Sequence, residues 1–245
     1  MKKKKLLFIS QVFYPEQFPI NIIAQNIKRL GYDVNVITGY PTYPKFQKFL
    51  KYFKLYPSKS SFKKIKIFRV PIFPRIKRYF LYLFLNYVSF ILSGILFSNF
   101  FLYKKKIDYI FVYATSPLLQ ALIGVFLKKI KKAKLVIWVQ DLWPESLEYT
   151  GYIKNKFLLN FIKKIVKYIY DQSDLILVQS ESFKKKINKI TNKKTIILNN
   201  PSVDFFTNSV NKKGKKFIYL YAGNVGSAQA IINLVKLAKF YKNNK

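Results

Sequence analysis

LVIWVQDLWPESL, Leu135 to Leu147, opens with an apolar run of β-branched, aromatic and leucine residues and breaks at Gln140 into a polar turn that carries Pro144. A run this short, apolar at nearly every position, reads as a strand buried on both faces of a parallel sheet. The residues after it then lie at the strand's carboxyl end. That end is where open α/β sheets bind ligands. The same stretch holds both tryptophans and two of the ten carboxylates of the chain, so scarce residue types gather at and just before the ligand-facing edge.

Runs of the same kind recur along the sequence. Strands are expected at Leu6 to Ser10, Val34 to Thr38, Lys64 to Val70, Tyr109 to Thr115, Leu135 to Gln140, Leu175 to Ser180 and Thr195 to Asn200. Helical spacing predicts helices over Ile20 to Leu30, Leu118 to Lys131, Lys154 to Asp171 and Glu181 to Ile190. Strands alternating with helices imply a doubly wound, Rossmann-like α/β domain with a parallel sheet. Asp33, Asp108 and Asp174 stand just before strands, at the opposite, structural edge. Glu16, Asp141, Glu145, Glu148 and Glu181 follow strands and belong to the ligand edge.

The formal charge is +35 while 51% of the residues are hydrophobic. The chain therefore folds around a core and is not a basic tail. Only Arg29, Arg69, Arg75 and Arg78 are arginines among 45 basic residues, and readers of bases and phosphates favour the arginine fork. Nucleic acid is accordingly not the expected partner. Lysine, asparagine, isoleucine, tyrosine and phenylalanine are raised together, as an A+T-rich coding sequence would do. Attraction to an anionic membrane surface is the other explanation of the charge. Runs such as KFLKYFK, Lys48 to Lys54, mix cationic and aromatic residues in a way that suits lipid headgroups, although a solvated basic face is the default reading. There is no cysteine and no histidine, which excludes disulfides, thiol chemistry, an imidazole triad and a zinc site with histidine ligands. The opening MKKKKLLFIS lacks the long apolar stretch of a signal peptide, because Gln11 interrupts it.

From Tyr79 to Tyr103 no residue is charged, and the segment is long enough to span a bilayer. Its place between two strands of one sheet requires a crossover helix instead. A helix in or against the membrane interface, a plain core helix and a true span all remain open, in that order of preference. After Pro201 the sequence loosens into a polar, glycine-bearing linker. KFIYLYAGNVG and SAQAIINLVKLAKFYKN then read as one strand and one helix, too little to form a domain.

The order of these motifs resembles retaining glycosyltransferases of family 4, with the GT-B fold, from the bacterial group that builds capsule, O-antigen and other surface polysaccharides. The resemblance rests on YPEQFPIN (Tyr14 to Asn21), LGYDVNVITGYPTYP (Leu30 to Pro44), LNYVSF (Leu85 to Phe90) and SPLLQAL (Ser116 to Leu122). It continues through WVQDLWPESL with GYIKN, LVQSESF (Leu177 to Phe183), LNNPSVD (Leu198 to Asp204) and YAGNVGSAQAI (Tyr221 to Ile231). It implies an acceptor-side domain over residues 1–204, a linker over 205–216, and from Phe217 to Lys245 the opening of a nucleotide-sugar-binding domain. The family's motif of two glutamates is not in the chain. The resemblance therefore implies a truncated form that does not catalyse transfer alone. It also implies a nucleotide-sugar donor as substrate, no cofactor and no metal. The acceptor would be a lipid-linked glycan, and the place of work the inner face of the cell membrane, with the protein peripheral and cytoplasmic. A non-catalytic, acceptor-binding subunit completed by a second polypeptide is the alternative, and a basic nucleic-acid-binding protein the more distant one.

The acceptor-side candidates are Glu16, Asp141, Trp143 and Glu145; the donor-side candidates are Gly223, Asn224 and Gly226, which offer amides and close approach. Two readings stand for the first group. Carboxylates of Asp141 and Glu145 can face the cleft and hydrogen-bond sugar hydroxyls, with Trp143 against a sugar ring; or Asp141 caps the turn and Trp143 packs in the core. Pro144 suits the first turn of a short helix containing Glu145, and Trp138 is expected in the core. Asn199 and Asn200 are expected to shape the way into the linker.

Overall fold

The computed structural model of the protein describes residues 3–76, 79–150, 155–201, 220–223 and 231–243. Among the described residues there are eight strands: β1 (Lys5–Ile9), β2 (Asp33–Gly39), β3 (Ser58–Phe62), β4 (Ile65–Val70), β5 (Tyr109–Ala114), β6 (Lys134–Val139), β7 (Leu175–Val178) and β8 (Thr195–Ile197). They form one sheet in the order β3-β4-β2-β1-β5-β6-β7-β8. All neighbours are parallel except β3 and β4. The expected parallel α/β sheet is thus present, with one strand, β3, that the sequence pattern does not reveal.

The helices are α1 (Pro19–Arg29), α2 (Phe80–Phe101), α3 (Ala121–Lys131), α4 (Glu145–Thr150), α5 (Lys156–Gln172), α6 (Glu181–Asn188) and α7 (Ile231–Asn243). Local chemistry sets several boundaries. Pro19 opens α1 and Gly31, at φ +92°, follows its end. Asn155 caps α5 by accepting from the N–H groups of Phe157 and Leu158, and Ser180 accepts from Phe183 at the start of α6. The helix expected from Leu118 starts with a 3-10 turn over Leu118–Gln120 before α3. The uncharged segment forms α2, the crossover between β4 and β5.

The core is two-sided, as a doubly wound sheet requires. Residues of α2, α3, α5 and α6 pack with Leu7, Ile9, Ile110, Val112, Ile137 and Val139 on one face. On the other face Ile20 and Ala24 of α1 pack with Phe8, Val36 and Ile67, and Trp138 lies in the same cluster. The alternation of Ile137 and Val139 against Trp138 is the period-two pattern of a strand buried on both sides. Trp138 is fully buried and its indole N–H donates to the Leu198 carbonyl at 3.1 Å. Its expected core position holds.

At the structural edge, Asp108 accepts from the Lys5 N–H at 2.7 Å and Asp174 from the Leu135 N–H at 2.8 Å. Each carboxylate thereby ties its own strand to the start of a neighbour. Asp33 makes a long ion pair with Lys28 at 3.9 Å. The expected linker over 205–216 and most of the following strand lie outside the described residues, as do Asn224 and Gly226. Gly223 is described and exposed. The apolar residues of α7, among them Ile232, Val235 and Phe240, are exposed.

Candidate functional site

Strand order decides where the site should be. The chain proceeds from β1 through β2 to β4 in one direction and from β5 to β8 in the other, so the order reverses between β1 and β5. A crevice at the carboxyl ends of those strands is the binding position of such sheets. A network of neutral amides occupies it. The Gln11 N–H donates to Gln120 Oε1 at 2.9 Å, and Gln11 Nε2 donates to Asn86 Oδ1 at 2.6 Å. Arg75 Nε also donates to Asn86 Oδ1, at 2.7 Å, and Asn86 Nδ2 donates to the Phe73 carbonyl. Gln120 Nε2 holds the loop after β5 through Thr115 and Pro117. Gln11, Asn86 and Gln120 are buried. Their partners are distant in sequence, which is why spacing gives no sign of this network.

Glu16 lies beside that crevice and is 3% exposed. Its Oε1 accepts from the Thr42 N–H at 3.0 Å and the Tyr43 N–H at 2.7 Å. The carboxylate thus fastens the loop after β1 to the loop after β2. Burial pushes its carboxyl up to about 7, against the opposing pull of the Tyr43 and Thr42 N–H groups. The buried Arg69 guanidinium donates to the Gly39 and Tyr14 carbonyls. Burial lowers the Arg69 pKa while the nearby Glu16 charge raises it. Glu16 is not the solvated loop glutamate that a sequence alone also allows.

Along the opposite half of the edge, the loops after β5 and β6 meet at Ser116. Trp143 Nε1 donates to Ser116 Oγ at 2.6 Å, and the Ser116 hydroxyl is near enough to the Asp141 carboxylate to act on its pKa. Burial pushes the Asp141 carboxyl up, and the Ser116 hydroxyl restrains that rise. Asp141 is half-buried, whereas Trp143 is 5% exposed and belongs to the core. Of its two readings Trp143 takes the core one: its ring is enclosed by the core, and its indole N–H holds Ser116.

Glu145 does not join this cluster. It begins α4, and together with Pro144, Lys163, Lys164, Lys167 and Lys189 it lines a hollow of about 400 Å³ against α5. Its Oε2 is buried without a hydrogen-bond partner among the described residues, and its charge raises the pKa of the fully buried Tyr170, whose shift comes first from burial. Farther along the edge, Gln179 Nε2 donates to Gln140 Oε1 at 2.7 Å and Asn200 Nδ2 donates to Gln179 Oε1 at 3.0 Å. Gln140 Nε2 is a buried donor without a protein partner among the described residues, one that a water or another polar group can satisfy. Among the described residues no cluster of acidic side chains suits a metal ion.

No known protein family and no curated protein matches this sequence. Among solved structures, sucrose-phosphate synthase from Thermosynechococcus elongatus superposes with a TM-score of 0.56 at 12% identity, over 80% of this chain and 48% of that one. The chain thus spans about half the length of that protein. A second sucrose-phosphate synthase structure from the same organism gives 0.52 at 12% identity, over 82% of this chain and 91% of that one. The E. coli trehalose-6-phosphate structure bound with UDP-2-fluoro glucose gives 0.48 at 10% identity, over 79% and 48%. The likeness is one of fold: the mostly parallel eight-stranded sheet matches the Rossmann-like half of GT-B glycosyltransferases.

Proposed function

We propose that this chain is the acceptor-binding half of a bacterial retaining glycosyltransferase of family 4. It acts from the cytoplasm as a peripheral protein of the cell membrane, on a lipid-linked glycan, in the synthesis of surface polysaccharide. The observation that carries the reading is the chemistry of the carboxyl edge. A sheet of the GT-B type presents there a row of amides, hydroxyls and two carboxyls of raised pKa, and no histidine exists to form an acid-base pair. Such groups match the hydroxyls of a sugar, each of which both donates and accepts. In a retaining transfer the protein chiefly positions the acceptor hydroxyl and stabilises charge on the departing diphosphate. Asp141, beside Ser116, and the Gln140 amide would serve the first task.

The second task would fall to a donor-side domain, to which the sequence from Phe217, with Gly223, Asn224 and Gly226, is assigned by resemblance. The nucleotide-sugar would bind mainly to that second domain. On this reading the described domain binds the acceptor. The second reading, an acceptor-binding subunit completed by another polypeptide, is favoured by the exposed apolar side chains of α7. Calorimetry with a short-chain polyprenyl-diphosphate glycan, a nucleotide-sugar and duplex DNA tests the proposal. The glycan should bind, the nucleotide-sugar should bind far more weakly, and Asp141→Asn should weaken glycan binding about tenfold, the loss of one charge-assisted hydrogen bond. DNA binding with indifference to the glycan would overturn it.

A further inference from the structure

Helix α2 is built inside out. Its buried positions, Asn86, Phe90, Gly94, Ser98 and Phe101, recur every three or four residues, and three of the five are polar or glycine. Asn86 is fully buried in the network with Gln11 and Arg75; Ser89 Oγ accepts from the Phe73 N–H, and Ser98 bonds within the helix. The opposite stripe is apolar and faces out. Leu81 and Phe84 are exposed, and Leu92, Leu96 and Phe100 are 63%, 67% and 71% exposed. A surface helix in water has the reverse arrangement. The described residues contain no other helix long and apolar enough to cross a membrane.

We infer that the outer face of α2 is a docking surface that beds into the acyl layer of an anionic membrane, with the helix lying along the bilayer. This deepens the peripheral-membrane part of the reading above by supplying its surface. The ends of the stripe carry the interfacial pattern. Tyr79 and Tyr103 are exposed there, and tyrosine favours the headgroup level. Lys104 lies over the Tyr103 ring, and Lys105 and Lys106 follow, exposed. These cations match anionic headgroups. A second copy of the chain is disfavoured as the occupant, because each copy carries a formal charge of +35. The inner face of α2 is held to α3 and to Asn86's partners, which fixes the helix to the sheet and excludes lipid from that side. The same bonds join the membrane surface to the crevice at β1 and β5, so an acceptor held in that leaflet arrives beside the candidate site.

The absence of cysteine makes single labels clean. The full chain would be labelled with an environment-sensitive fluorophore at Leu92→Cys, Leu96→Cys or, on α1 across the sheet, Asn26→Cys. Each would be mixed with vesicles of phosphatidylcholine with and without phosphatidylglycerol, carrying spin-labelled lipid as quencher. No glycan or nucleotide is present, so failure here leaves the transfer reading standing, and failure of acceptor binding leaves this one standing. Labels at 92 and 96 should shift to the blue and be quenched by shallow acyl spin labels on anionic vesicles only, while the label at 26 stays aqueous. Leu92→Glu with Leu96→Glu, surface changes that leave the core intact, should lower vesicle partition about tenfold or more. A blue shift without vesicles together with a dimer in sedimentation would overturn the inference in favour of a second copy. Vesicle binding that leaves 92 and 96 in water, or that is unaffected by the double variant, would overturn it as well.

Discussion

Glu16 sets two demands against each other: its carboxylate ties two loops at the site, and its burial favours the neutral form. The folded pKa of about 7 lies above the ordinary value of 4.5, so the folded chain holds its proton more tightly than the unfolded chain does. Stability from this group is complete below pH 4.5 and is lost as pH rises through about 7. The shift corresponds to about 3 kcal/mol at most. Glu16→Gln keeps an acceptor for the Thr42 and Tyr43 N–H groups and has nothing to titrate. Urea unfolding as a function of pH should find the two proteins alike near pH 4 and the variant more stable above pH 7; an unchanged pH slope in the variant would refute the assignment. The same scale shows the reach of sequence. Trp138 in the core and Asp141 at the edge follow from one apolar run and its break. The network of Gln11, Asn86 and Gln120 does not, since neutral amides carry no spacing rule and its members come from three separate segments. Trp143 was open between core and cleft, because the deciding fact is a hydroxyl on another loop, Ser116.

Among the elements, strands and helices were legible wherever burial imposes a period. The parallel strands are apolar because helices cover them, and the expected segments coincide with them to within a few residues. β3 escaped for a physical reason. Its sequence, SKSSF, is polar because it is an exposed edge, and its hairpin turn uses Lys63 at φ +46° and Lys64 at φ +65°. Left-handed turn positions normally announce themselves as glycine or asparagine. α3 shows how tightly an element can be specified. A Cβ on Gly124 would stand 2.7 Å from Val112 Cγ2 on β5 and 3.0 Å from Leu135 Cδ1 on β6. Gly124→Val should therefore push α3 off the sheet and cost about 1–3 kcal/mol, the usual range for overpacking. Equilibrium unfolding reads this directly, and a neutral result would mean that the helix is not seated as closely as described.

For the whole molecule, the decisive features are topology and the distribution of polarity over it. The reversal between β1 and β5 locates the crevice, the aspartates Asp108 and Asp174 brace the far edge, and the amide-rich edge lies at the strands' carboxyl ends. α2 connects that edge to an outward apolar face. In physical terms the fold was readable from the sequence because it repeats one unit; the site was readable only as an edge, because its lining is assembled from loops after β1, β2, β5 and β6. The central claim is that this edge binds the lipid-linked acceptor. The most direct measurement is photocrosslinking of the full chain, in anionic vesicles, with a polyprenyl-diphosphate glycan bearing a photoreactive group on its sugar, followed by mapping of the labelled peptides. The account expects label in the loops around Gln11 to Glu16, Thr115 to Pro117 and Gln140 to Trp143, competed by unlabelled glycan and reduced by Asp141→Asn. Label confined to the lysine-rich hollow against α5, or spread over the surface without competition, would contradict it.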